Sequence, residues 1–243
     1  MIKGVIFDLG NTLIEFTGDW ESVTRLGAEA MATWFLKKKH IRLDSTVLVE
    51  TFIAERTAAQ QVAQETQTEV PAEQTLRVTL DKIAAPLSTG LLVAAAIKIF
   101  FEPEEAAYRP YADAADTLKI LQDQGYRLGL FSNATDDPLV QRLVNQNRLR
   151  PWLAPTFSSA GCGWRKPKRE AFALIAARWA LPVGQIVVVG DTPQADILGA
   201  RNAGMTSILM ARSEVSGDAE NQLARPTATA GSLAQLPDLI SQL

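Results

Sequence analysis

The chain has 243 residues, of which 47% are hydrophobic and 21% charged, proportions that bury a core and exclude a disordered, collagen-like or low-complexity chain. A net charge of −3 argues against a nucleic-acid-binding surface. With one cysteine, Cys162, and one histidine, His40, an internal disulfide and a histidine-based metal cluster are both excluded.

Residues 2–7 (IKGVIF) form a short apolar run that meets Asp8 at once. This is the pattern of a buried parallel strand, and it lacks the cleavage site of a signal peptide. From residue 17 to residue 107 the strand signal vanishes. Val23, Leu26, Ala30 and Trp34 fall at helical spacing, and Val47, Leu48, Thr51 and Phe52 begin a second helix with Asp44 or Ser45 as its N-cap. Leu76, Val78, Leu80 and Ile83 mark a third helix, residues 91–101 a fourth, and Pro71, Pro86 and Pro103 punctuate them. Strands return at residues 126–131 (YRLGLF), 186–189 (IVVV) and 206–210 (TSILM). Helical patterns lie between them at residues 111–124, 169–180 and 194–203, the first and last followed by Gly125 and Gly204.

This alternation predicts an α/β fold: an open parallel, Rossmann-like sheet with helices on both faces, plus an all-helical cap. The expected core is residues 1–16 and 108–243, with residues 17–107 inserted as the cap. No window reaches the roughly 18 consecutive apolar residues of a spanning helix; residues 90–101 come nearest and contain Lys98. The expectation is a soluble cytoplasmic protein, monomer or homodimer, with no membrane or nucleic-acid partner.

In such a sheet the chemistry lies at the carboxyl ends of the strands. Those ends read Phe7-Asp8-Leu9-Gly10-Asn11-Thr12, then Phe131-Ser132-Asn133, then Val189-Gly190-Asp191 with Asp196 five residues on, and Arg165-Lys166-Pro167 precedes a helix. Carboxylates suit Mg²⁺, a hard cation with oxygen ligands. A lysine offsets their charge, a hydroxyl with backbone amides holds phosphate oxygens, and a carboxylate can act as nucleophile. Together they describe metal-assisted phosphoryl transfer.

These four motifs, in this order, resemble those of the haloacid dehalogenase (HAD) superfamily. The resemblance implies a Mg²⁺-dependent phosphatase that acts on a small phosphorylated metabolite through an aspartyl-phosphate intermediate. It implies that Asp8 is the nucleophile and a metal ligand, and that Gly10 offers its backbone carbonyl to the metal. Ser132 would bind the transferred group, with Asn133, Asn11 and Thr12 shaping the substrate-binding loops. Lys166 would steady the nucleophile and the phosphoryl oxygens, Asp191 would bind the metal, and Asp196 would support it directly or through water or Lys166.

Phosphatases of the family usually carry a second aspartate two residues after the nucleophile, where this chain has Gly10. General acid–base assistance is worth about 10²–10⁴-fold, roughly 3–5 kcal/mol of barrier. Three consequences are open: a preference for good leaving groups such as acyl, anomeric or aryl phosphates; a substitute among Asn11, Glu15 and the cap residues; or a relic that binds without turnover. A 2-haloacid dehalogenase is a further alternative, although those relatives typically have a tyrosine where Gly10 stands. His40 is expected at the surface, Cys162 as a packed or idle thiol, and Trp164 in the core with the other tryptophans, with the substrate entrance beside Lys166 as its alternative. The cap is expected to close over the site.

Overall fold

The four residues of β1 (Gly4–Phe7) are all buried, because β1 lies in the middle of a sheet with a parallel neighbour on each side. The computed structural model describes residues 1–38, 43–85, 89–212 and 225–243, so His40 and Pro86 lie outside the described residues. After β1 the chain runs through β2 (Ile14–Phe16), α1 (Trp20–Leu36), α2 (Ser45–Thr66), α3 (Ala72–Lys82), α4 (Gly90–Ala106) and β3 (Tyr108–Pro110). It continues with α5 (Ala114–Asp123), β4 (Arg127–Ser132), α6 (Asp137–Gln146), β5 (Thr156–Ser158), α7 (Ser159–Cys162) and α8 (Arg169–Trp179). Then come β6 (Ile186–Gly190), a π-helical turn (Pro193–Ile197) leading into α9 (Leu198–Asn202), β7 (Thr206–Met210), β8 (Ala228–Ala230) and α10 (Leu236–Ser241).

Six strands form one parallel sheet in the order β5-β4-β1-β6-β7-β8. The chain steps outward from β1 through β4 to β5 and then returns to β6, so its direction reverses beside β1. In open α/β sheets that reversal opens a crevice at the carboxyl ends of the strands. Alternate residues serve the two faces of the sheet. Ile6, Phe131 and Val188 pack against Phe172, Ile175 and Trp179 of α8; Phe7, Leu130 and Val189 pack with Leu118 of α5 and Leu143 of α6. Both faces are covered, which is why these strands read as continuous apolar runs.

The four long helices α1–α4 follow the predicted segments, with Asp44 capping α2 through Thr46 and Val47. The apolar stripes are phased differently from the prediction. Leu26 and Val78 are exposed, at 54% and 39%. The buried stripe of α1 is Val23, Gly27, Ala28, Met31, Ala32 and Phe35, in which small residues let α4 approach. Hydrophobicity alone ranks Leu26 above Gly27; the close contact of two helices reverses that order. Pro103 lies inside α4 and does not end it.

Four strands and three helices, α6, α7 and α10, go beyond the predicted set. β5 and β8 are three-residue strands at the sheet edges, too short to leave an apolar run. β2 and β3 pair antiparallel, with Phe16 opposite Tyr108, and the Ala107 carbonyl accepts from both the amide and the hydroxyl of Thr17. This ribbon carries the chain out to α1 and back from α4. α6 did leave signals: Asp136 caps it, Pro138 lies in its first turn, and Leu139, Val140, Leu143 and Val144 form its buried stripe.

A β-carbon on Gly27 would lie 2.1 Å from the backbone oxygen of Phe100, an atom that cannot rotate away. Alanine gains about 1 kcal/mol of helix propensity over glycine, but forcing two packed helices apart costs about 1–3 kcal/mol. Gly27→Ala is therefore expected to lower the urea midpoint, and Gly27→Val to lower it further. An unchanged midpoint in both would show that α1 and α4 separate freely.

Candidate active site

Three adjacent strands end on polar side chains. Asp8 follows β1 and its amide donates to the Val189 carbonyl of β6 at 2.9 Å; Ser132 closes β4; Asp191 follows β6. Lys166 enters from the loop before α8. Its Nζ donates to Asp8 Oδ1 at 2.5 Å and to the Phe131 carbonyl at 3.0 Å, and it lies 2.7 Å from Asp196 Oδ1. The Lys166 side chain is only 3% exposed. Its backbone is held from both sides by one residue: the Lys166 amide donates to Asn133 Oδ1, and Asn133 Nδ2 donates to the Lys166 carbonyl. Asn133 thus acts on the site by fixing Lys166 as well as by lining it.

Asp196 is 1% exposed and folds back over the end of β6, where the Thr192 amide donates to its Oδ2 at 3.1 Å. The neighbouring glycine makes this possible. A β-carbon on Gly190 would lie 2.2 Å from Asp196 Cγ, so the Gly-Asp pair is a space requirement as well as a turn.

These groups open into a cavity of about 700 Å³. Asp8, Gly10, Asn11, Ser132, Asn133, Lys166, Asp191 and Asp196 line it, whereas Thr12 does not. Thr12 is wholly buried beneath the loop, and its carbonyl accepts from Arg212. Asn11 has a left-handed backbone (φ 53°), and its Oδ1 accepts from the Phe16 amide, so it shapes the turn that leads into β2. Trp164 does not line the cavity; it packs against the core cluster of α8, with the Lys168 ammonium 4.1 Å from its ring centre. Cys162 is half-buried, and burial pushes its thiol up, away from thiolate chemistry.

The electrostatics follow from crowding three carboxylates around one ammonium. Burial pushes Asp8 up to about 7; Lys166 opposes this, and the charges of Asp196 and Asp191 add to it. Burial also raises Asp191, with Asp196 contributing next. For Lys166 burial works downward, but Asp196 and Asp8 outweigh it and hold the ammonium above the usual lysine range. One carboxylate oxygen from each of Asp8, Asp191 and Asp196 lies within 4.8 Å of the others. Lys166 leaves two negative charges uncompensated, which one divalent cation neutralises. The donors are hard oxygens, and the Gly10 carbonyl takes part in no hydrogen bond among the described residues. This set fits Mg²⁺.

The roof of the cavity holds polar residues that the motifs do not mark. Arg56, Gln60 and Gln64 line it from α2, and Glu104 from α4. They were legible in one respect: Arg56 and Gln60 continue the buried stripe of Leu48 and Phe52, and Glu104 continues that of Ile97 and Phe100. A polar side chain on a buried stripe is the informative exception. Arg56 donates to Thr135 Oγ1 at 3.1 Å and lies over the rings of Phe100 and Phe101. Burial pushes Glu104 up to about 7, Arg56 opposes this, and Asp136 adds to it. Glu15, by contrast, is exposed on β2 and does not line the cavity.

The family model for haloacid dehalogenase-like hydrolases matches residues 2–204, and the chain belongs to that family of hydrolases. Similar proteins include a glyceraldehyde 3-phosphate phosphatase of Methanopyrus kandleri, 27% identical over 87% of this chain and 85% of that protein. A phosphoglycolate phosphatase of Shigella boydii is 25% identical over 85% of this chain and 80% of that protein. A glyceraldehyde 3-phosphate phosphatase of Methanothermobacter thermautotrophicus is 31% identical over 49% of this chain, a match that spans about half (53%) of that protein. In fold, the chain is similar to a 2-haloacid dehalogenase of Pseudomonas syringae, with a TM-score of 0.74 at 24% identity over 100% of this chain and 99% of that one. It is also similar to a HAD phosphatase of Thermococcus onnurineus, with a TM-score of 0.64 at 17% identity over 98% of both chains.

Glu104 makes the protein's stability depend on pH. Its proton is held to about 7 in the fold, against an ordinary value of 4.5. The stability of the neutral form is therefore complete below about 4.5 and is lost as the pH rises through 7. Calorimetry of Glu104→Gln is expected to show its largest gain in Tm over wild type at pH 8 and the smallest at pH 5. An equal difference at both pH values would show that the carboxyl is not desolvated.

Proposed function

We propose that the protein is a Mg²⁺-dependent phosphatase that hydrolyses a small phosphorylated metabolite through an aspartyl-phosphate on Asp8. The observation that carries this reading is the buried Lys166 ammonium held between Asp8 and Asp196, beside Asp191, in a cavity lined by the strand ends and by α2 and α4. The phosphatase names of the relatives support it. In this reading residues 17–107 form the cap, and α2 and α4 supply the substrate-selecting roof.

Lys166 holds the Asp8 carboxylate in one orientation, with the other oxygen free to attack phosphorus in line with the leaving oxygen. Ser132, at the end of β4, offers its hydroxyl to the phosphoryl oxygens. Mg²⁺ held by Asp8, the Gly10 carbonyl and Asp191 would offset the charge of the nucleophile and of the transferred group. Asp196 fixes Lys166 from the far side. Closure of the roof would exclude bulk water, which would strengthen each of these interactions. The loop between α2 and α3 supports a closed cap: the Glu69 amide donates to the Gly163 carbonyl, the Arg165 amide to the Gln67 carbonyl, and Arg165 pairs with the buried Glu69 carboxylate. A dehalogenase has no need of the uncompensated charge that three carboxylates leave here.

An aryl phosphate with a good leaving group is expected to be cleaved with Mg²⁺ and spared with a chelator. Asp8→Asn is expected to reduce turnover by about 10⁴-fold or more, with an unchanged circular dichroism spectrum. Halide release from a 2-haloacid in the presence of chelator would replace this reading with dehalogenation. Tight phosphate binding with no turnover of any phosphate would replace it with a binding protein.

A further inference from the structure

A phosphatase of this kind needs a group that protonates the leaving oxygen and then takes a proton from water, and Gly10 has no side chain to do it. The space that side chain would enter is bordered by Tyr108. A β-carbon on Gly10 would lie 3.7 Å from the Tyr108 hydroxyl and 3.9 Å from its ring. Tyr108 is brought there by β3, where it stands opposite Phe16, with the two ring centres 5.3 Å apart. One turn upstream, Glu104 lines the same cavity as Asp8. Its carboxylate makes no hydrogen bond and no close ion pair among the described residues, although Arg56 donates elsewhere and Arg165 and Arg142 are paired with Glu69 and Glu105. A carboxylate without a hydrogen-bond partner, on the buried stripe of a helix and lining the cavity that also holds Asp8, has no structural task to explain it.

We propose that Glu104 is the proton-transfer group of the reaction and that the Tyr108 hydroxyl holds the leaving oxygen against it, the two together standing in for the side chain that Gly10 lacks. This rests on the phosphatase reading above. In the first half-reaction an Asp8 oxygen bonds to phosphorus, the bond from phosphorus to the ester oxygen breaks, and the Glu104 carboxyl proton moves to that oxygen. In the second, a water oxygen bonds to phosphorus and the bond to Asp8 breaks. One proton of that water goes to the Glu104 carboxylate, which restores the starting state.

The surroundings suit both roles. Arg56 from α2, Asp136 at the head of α6 and Tyr108 from β3 face Glu104 among the described residues, and burial outweighs the one cation, so the carboxyl exchanges its proton near neutrality. Burial and the charges of Glu104, Asp8 and Asp191 hold the Tyr108 hydroxyl above the usual tyrosine range, which keeps it a hydrogen-bond donor. Glu15 is outside the cavity, and the Asn11 carboxamide has no group that titrates at these pH values.

The test compares 4-nitrophenyl phosphate, whose leaving group needs no proton, with an alkyl phosphate, whose leaving group does. Glu104→Gln is expected to lower kcat/KM for the alkyl phosphate by about 10²–10³-fold and for the aryl phosphate by less than about 10-fold. It is also expected to remove the alkaline limb of the alkyl pH profile. Gly10→Asp placed on Glu104→Gln is expected to restore alkyl turnover, because the added β-carbon meets only ordinary van der Waals contact. Tyr108→Phe is expected to weaken alkyl turnover about 10-fold with the limb retained. An equal loss for both substrates with the alkaline limb intact would reduce Glu104 to a structural residue. Unchanged alkyl rates in Glu104→Gln, or a wild type that cleaves the aryl phosphate and no alkyl phosphate at any pH, would overturn the proposal. Aryl turnover that is lost in Asp8→Asn upholds the phosphatase reading in either case, so the two ideas fail separately.

Discussion

A buried ammonium organises this molecule. Lys166 Nζ sits among Asp8, Asp196 and the Phe131 carbonyl, contacts that draw the end of β1, the end of β4 and the turn after β6 onto one point. Removing one member of such a group leaves an uncompensated charge in a place water reaches poorly, which typically costs 3–5 kcal/mol. The parallel sheet has to bring its strand ends to one rim before this contact exists, and the contact in turn fixes the orientation of the Asp8 carboxylate. Fold and site are thus joined through one side chain, and Asn133 secures it by holding both backbone groups of Lys166.

The second constraint is the surplus of negative charge. Three carboxylates and one lysine in a buried cluster are incomplete electrostatically: burial raises Asp8 and Asp191, and the neighbouring carboxylates add to the rise. A site of this composition is arranged to receive something positive on one side and an anion on the other. The same reasoning separates it from a purely structural ion-pair network, which would balance its own charges.

What was legible in the sequence was what depends on short range. The four main strands are apolar runs because both faces of a parallel sheet are covered, and Asp8, Lys166 and Asp191 announce themselves by following or preceding a recognisable element. The edge strands Thr156–Ser158 and Ala228–Ala230 escape because three residues carry no period. The phase of α1 escapes because the burial of Gly27 and the exposure of Leu26 are decided by α4, about seventy residues away. Thr12 looks like part of a binding loop and is in fact beneath it. Glu104 was readable as a polar residue on an apolar stripe, but nothing local says that the stripe ends in a cavity shared with Asp8; that requires the ribbon that folds residue 108 back over residue 10.

That ribbon has one further consequence. Its two strands lie side by side, with Thr17 doubly hydrogen-bonded to Ala107, so both crossings of the chain form a single hinge line. Tyr108 is on that line and Glu104 is on the last turn before it. A rotation of the four helices about it would swing both groups as a unit relative to Asp8. Under the proposed function, a movement that admits a ligand past the four helices would also carry off the groups that handle its proton, so access and proton transfer would be geared together through the ribbon.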